Sequence, residues 1–262
     1  MLSVKSENYT KQRVKEILYV GKKLNDSFTL NQYNSFVDED KKQDYKLDCC
    51  TKISNCSEQF IMQLNSFDIY KAVENFMTFN AKPFIEHFIM FIGLSDEENS
   101  KEFYERLQLN NLHCDYNFVK NLLEYGENFG LQIDRERFCN QEVLGKEIKS
   151  LNEDETKNNL IDSLKSDMFS ISSLLGDFDK LNRSGYEKYN EKLDLFSIDS
   201  DNLALFYFMT NVYSHNNLKF WTFVNNSDEL FEFYLDLSLA IMLCTYYTLT
   251  GISLENDILN LK

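Results

Sequence analysis

Between Ser227 and Gly251 the chain runs without a Gly, Pro or Asn. That is roughly 23 residues, or about 34 Å of helix at 1.5 Å per residue. Ser227 is a good N-cap, and Asp228 and Glu229 put carboxylates where a helix N-terminus favours negative charge. Gly251 supplies a C-terminal stop. Leu237 to Leu249 is almost wholly apolar on every face, while Glu229, Glu232 and Asp236 crowd the other end. A membrane-crossing helix needs about 20 apolar residues in a row. A shorter stretch that is apolar all round reads as the buried central helix of a bundle, with no membrane involved.

The rest of the sequence agrees with a helical class. There is a single Pro, Pro83, and only 8 Gly in 262 residues. Such depletion fits long helices and short turns, and disfavours sandwiches, barrels and doubly wound sheets. The expected fold is all-α, a helical bundle in two helical halves, 1–150 and 151–262, parted at the polar stretch Ser150 to Asn159. Periodicity places helices at Ser3–Leu24, Ser57–Phe79 and from Pro83 to a stop at Gly93. Asn25 to Ser35 reads as turns, and Asp38 to Asp48 as a solvated mixed-charge run. Ser95 and Glu98 read as a capping box for a helix through Leu109. Further helices are expected at 115–129, 134–149 and 156–175, the last stopped by Gly176, and at Asp199–Tyr213.

Charge and cysteine usage narrow the function. The net charge is −15, and Lys and Arg form no dense cluster. Nucleic-acid binders normally present a basic face, so the charge argues against autonomous RNA or DNA binding. Six Cys, with no apolar leader in Met1 to Thr10, read as reduced thiols of a cytoplasmic protein. Cys49, Cys50 and Cys56 lack C-x-x-C spacing and a nearby His, so no metal is expected. No phosphate-binding Gly loop, His-Glu-x-x-His or Gly-x-Ser-x-Gly occurs, and no cofactor is expected. His87 lies in an apolar run and reads as a hydrogen-bonded core residue. His113 beside Cys114 does not read as a nucleophile–base pair, because adjacent residues rarely meet in that geometry and no third orienting group is evident.

The one constellation with chemical content is Thr210-Asn211-Val212-Tyr213-Ser214-His215, at the end of the helix that precedes the long apolar one. A polar helix end with Asn and then His, followed by an acid-start, apolar-end helix, resembles the HEPN superfamily. Those helical bundles occur in prokaryotic toxins, abortive-infection proteins and CRISPR effector nucleases. Their motif is an Arg, usually followed by a polar residue such as Asn, with a His a few residues on. Asn211 and His215 match, and Thr210 stands at the Arg position. The resemblance covers residues 151–262.

The resemblance implies paired motifs of two protomers cleaving RNA without metal in a dimer cleft. His215 would act as general acid or base, its ordinary pKa lying near neutrality. The Arg would stabilise charge on the phosphate, a role that calls for a permanently cationic fork. Thr210 cannot fill it. The candidate site is therefore His215, Asn211, Tyr213 and Thr210, with a degenerate centre and a scaffold or regulatory role in a prokaryotic or phage defence or toxin system. The expected partner is a second copy or another protein, with RNA reached only through a dimer cleft. If the chain is an enzyme, it is a metal-independent endoribonuclease. The alternative reading is an acidic, non-enzymatic inhibitor or nucleic-acid mimic that occupies a basic protein surface.

Overall fold

The computed structural model describes residues 4–34, 41–104, 106–107, 125–126, 130, 171–181, 189, 192–214 and 227–261. Among these the protein is all-α, with no strand. Its helices are α1 (Val4–Asn34), α2 (Lys41–Ser66), α3 (Ile69–Phe79), α4 (Ala81–Ser95), α5 (Ile171–Phe178), α6 (Ser200–Ser214), α7 (Asp228–Thr250) and α8 (Glu255–Leu259). The chain forms two compact units. One joins residues 1–100 with 174–262, and the other is 101–173. In the second unit Phe103 and Leu107 are buried, and Arg106 Nη2 donates to Ser173 Oγ at 2.7 Å. Of the helix expected at 115–129 only residues 125–126 are described, and they are helical; the helix expected at 134–149 and the boundary at Ser150 to Asn159 fall outside the described residues.

In the first unit α7 is the centre. Every residue from Phe233 to Tyr246 is buried. α1 packs along it most extensively, with α4 and α3 on other sides. α2 packs on α4, α1 and α3, and α6 packs on α3 and α4. The ends of α7 lie where the sequence puts them. Ser227 Oγ accepts from the Leu230 N–H at 3.3 Å. Gly251 turns left-handed at φ 69°, and its N–H reaches Tyr247 O at 2.7 Å. By length and composition α7 could cross a membrane, yet 83% of its most apolar window is buried inside the protein.

Several boundaries differ from the sequence reading, each for a local reason. α1 continues through Asn34, past the turn-forming residues after Leu24. Tertiary contact overrides propensity there. Asn25 Oδ1 accepts a 2.7 Å hydrogen bond from Ser54 Oγ of α2, and Leu24 is fully buried. Gly21 lets α1 approach α2 so closely that a Cβ would collide with the Ile61 side chain. The mixed-charge run, readable as a solvated helix face or a loop, is helical from Lys41 onward.

The expected Ser57–Phe79 helix is two helices. Asp68 caps the second by accepting from the Lys71 N–H at 3.0 Å. Pro83 sits in the first turn of α4, as its fixed φ favours, but Gly93 does not end that helix. It is buried within it. Asp96, not Ser95, caps the turn after α4, accepting from the Asn99 N–H at 2.8 Å, while Ser95 Oγ turns back to Phe91 O at 2.7 Å. α5 likewise runs past Gly176 to Phe178.

One polar cluster lies inside this apolar packing. Arg13 of α1 and Asp236 of α7 pair at 2.8 Å with side chains 5% and 3% exposed. Tyr9 donates to the other Asp236 oxygen at 2.6 Å. Arg13 Nη1 also binds Glu16 at 2.6 Å, and Gln12 donates to Glu16 at 2.9 Å. Arg13 Nη2 donates to the backbone carbonyls of Leu193 and Asp194, the latter at 3.2 Å. Asp194 is the one described non-glycine residue with a left-handed φ, 51°. Arg13 thereby ties α1, α7 and the 193–194 corner together.

Burial pushes the Asp236 carboxyl up to about 6, against the pull of Arg13 and Tyr9. A carboxyl raised in the native state holds a proton there that the unfolded chain has already released. Its contribution to stability is full below about pH 4 and is lost as pH rises through about 6. Asp236→Asn removes this titration. From about pH 4 to about pH 7, the stability of wild type relative to Asp236→Asn should fall by about 2 kcal/mol in urea unfolding. A difference that stays flat or grows would mean that Asp236 is ionised throughout.

Candidate functional site

The Thr210–Ser214 end of α6 lies against the first turns of α7 and against α3. Residue spacing explains the aromatic layer between them. Phe206 and Tyr213 are seven apart, so both fall on one helix face. Phe206 stacks on Tyr234 of α7 with centroids 5.8 Å apart, and Tyr213 meets the same ring edge-on at 6.2 Å. Phe233 adds a second edge contact to Phe206 at 6.2 Å.

The motif residues separate. Thr210 is buried, 2% exposed, and its hydroxyl donates to Tyr207 O of its own helix at 2.6 Å. This side-chain-to-backbone bond is a common way for a helical Thr to satisfy itself. Asn211 is half-buried and engaged in an interaction of its own. Tyr213 is buried at 4% exposure. His215 lies outside the described residues. Thr210 and Tyr213 are thus both core positions, and Tyr213 packs on Tyr234. One turn before Asn211, Tyr207 donates to Glu86 at 3.1 Å, and Lys82 lies over its ring at 5.4 Å.

Beside Tyr213 the packing leaves a cavity of about 150 Å³, bordered by Tyr70, Val73 and Glu74 of α3, Tyr213, and Ser227, Asp228, Phe231 and Tyr234. Tyr70 packs on Phe231 with centroids 4.8 Å apart. Burial pushes the Tyr213 hydroxyl up to about 12; the Tyr234 hydroxyl beside it pulls the other way, and the Glu74 carboxylate pushes it further up. Burial, and then Tyr213, push Tyr234 up as well. Both phenols are neutral near pH 7. They can donate and accept hydrogen bonds, but neither serves as a base or nucleophile there.

The other titratable candidates are structural. His87 is half-buried, and its Nδ1 lies 2.7 Å from Pro83 O. Cys49, Cys50 and Cys56 are buried free thiols, pushed by burial to about 12, 12 and 11. A thiol so raised is a poor nucleophile and metal ligand. Cys244 is also buried and free. Among the described residues no group of three or more His, Cys, Asp or Glu could hold a metal ion. His113, Cys114 and Cys139 lie outside them.

Sequence reasoning missed two groups. The Arg13–Asp236 cluster joins residues 223 positions apart, and only the oddity of an Asp flanked by Leu235 and Leu237 marked it. Glu74 and Tyr70 of the cavity carried no signal, since each fits an ordinary amphipathic helix. A comparison with protein-family models, curated proteins and solved structures gives no match to this chain.

Thr210→Arg would place a guanidinium at a position that is 2% exposed and whose hydroxyl is bonded within its own helix. It should cost about 2–4 kcal/mol in denaturant unfolding, against about 1 kcal/mol for Thr210→Val. A Thr210→Arg protein as stable as wild type would mean that the position opens to solvent.

Proposed function

We propose that the chain is a HEPN-like helical protein of a prokaryotic or phage defence system, acting as a scaffold or regulator without a working ribonuclease centre. The observation that carries this reading is Thr210. At the position where the resemblance calls for Arg stands a buried residue whose hydroxyl is committed to its own helix. A phosphate could gain no charge stabilisation from it. Tyr213, neutral and packed into the aromatic layer, offers no substitute. Such a protein would work through contact with a second copy or another protein, in the cytoplasm.

The charge of −15 favours a second reading, an acidic inhibitor that occupies a basic protein surface. The two part at Asn211 and His215, which matter to a HEPN-like interface and are incidental to a charge mimic.

The test is incubation of wild type, Asn211→Ala and His215→Ala with total RNA in a metal chelator. All three should leave the RNA intact. Cleavage that is lost in His215→Ala would overturn the non-catalytic reading and make the chain a metal-independent endoribonuclease.

A further inference from the structure

The cavity beside Tyr213 has a composition that packing alone does not call for. A cavity of about 150 Å³ holds one benzene-sized molecule. Four of its bordering residues are aromatic (Tyr70, Tyr213, Phe231 and Tyr234), and two are acids, Glu74 and Asp228. No Lys or Arg is among the described residues that border it.

Two features of the site act on charge in opposite directions. A helix N-terminus opens here, and by itself it would favour an anion. Ser227 already occupies the Leu230 N–H, and Asp228 and Glu229 already place two carboxylates in that first turn. Glu74 adds a third from α3. Its side chain borders the cavity directly. Both tyrosines are neutral phenols near pH 7 and supply no compensating charge. An anion would therefore meet repulsion, and a cation would meet carboxylates together with aromatic rings. Rings around a cation are the arrangement by which proteins take quaternary ammonium groups.

We infer that this cavity binds a small organic cation, an alkylated ammonium head set among Tyr70, Tyr213, Phe231 and Tyr234 and balanced by Glu74 and Asp228.

Glu74 has a competitor. Lys71 Nζ sits 3.1 Å from its Oε1, with side chains 50% and 24% exposed. An exposed i, i+3 pair of this kind is weak and exchanges readily. Its second oxygen is not engaged by Lys71. The rim is accessible, Tyr70 being 45% exposed.

The experiment is calorimetric titration of the full chain with choline, with tetramethylammonium, and with 3,3-dimethylbutan-1-ol, the neutral isostere of choline. A short peptide carrying trimethyl-lysine distinguishes a free cation from one presented by a protein. The cations should bind in the millimolar range, and the neutral isostere about tenfold more weakly. Glu74→Gln and Tyr70→Ala, both at half-buried or exposed positions, should each weaken choline about fivefold while the far-UV spectrum and melting midpoint stay near wild type. The trimethyl-lysine peptide binding more tightly than tetramethylammonium would assign the head to a protein partner, and equal or weaker binding to a free metabolite. Equal affinity for choline and its neutral isostere would overturn the inference. So would an absence of saturation by any of the cations up to ~50 mM.

Discussion

A single guanidinium decides how the first and last long helices of this protein meet. Arg13 is buried and divides its donors among Asp236, Glu16, the Tyr9 hydroxyl and two backbone carbonyls. Taking ions out of water costs several kcal/mol each, and their attraction offsets this only when the geometry is good and the remaining lone pairs are filled. Both conditions hold for the donors of Arg13 and for Asp236. Asp236 accepts from Arg13 on one oxygen and from Tyr9 on the other. Such a pair adds little net stability over an apolar filling. Its effect is to penalise every arrangement that leaves one partner buried alone. A one-turn slip of α1 along α7 would do that, whereas a purely apolar contact would tolerate it.

The same helix carries the candidate site on another face. Asp236 and Tyr234 are two residues apart, about 200° around a helix. One points to Arg13 on α1, and the other to Phe206 and Tyr213 on α6. Fixing α7 against α1 therefore also fixes where Tyr234 and Phe231 stand opposite α3 and α6. The cavity and the buried Thr210 both depend on that placement. α6 has no extensive backbone contact with α7 and reaches it through aromatic rings, so the site is built on side chains bridging two supports.

Legibility in the sequence tracked the range of the interaction. The ends of α7 were readable to the residue because Ser227 and Gly251 act on their own neighbours. The start of the helix expected from Asp199 was readable for the same reason, since Asp199 accepts from the Asn202 N–H at 2.8 Å. Where local signals competed with packing, the reading failed. Asn25 promotes turns in isolation, but here it bridges to Ser54 inside a continuous helix. Gly93 and Gly176 were read as stops, yet a Gly in a helix costs only about 1 kcal/mol, and surrounding contacts can override it. The all-α class was legible from composition. The burial of Thr210 had no local signature, since it comes from the packing of α6 on α3 and α4.

The most direct test of the Arg13–Asp236 constraint is a double-mutant cycle with Arg13→Met, Asp236→Leu and the pair, read by urea unfolding. Arg13→Met leaves the Asp236 and Glu16 carboxylates buried without their cation, and Asp236→Leu leaves Arg13 with Glu16 as its one carboxylate partner among the described residues; each should cost about 3–5 kcal/mol. The double change should cost less than the sum by about 2 kcal/mol or more, the coupling expected of a buried pair. Additive losses would contradict the account, because they would mean that the two residues do not hold α1 and α7 together.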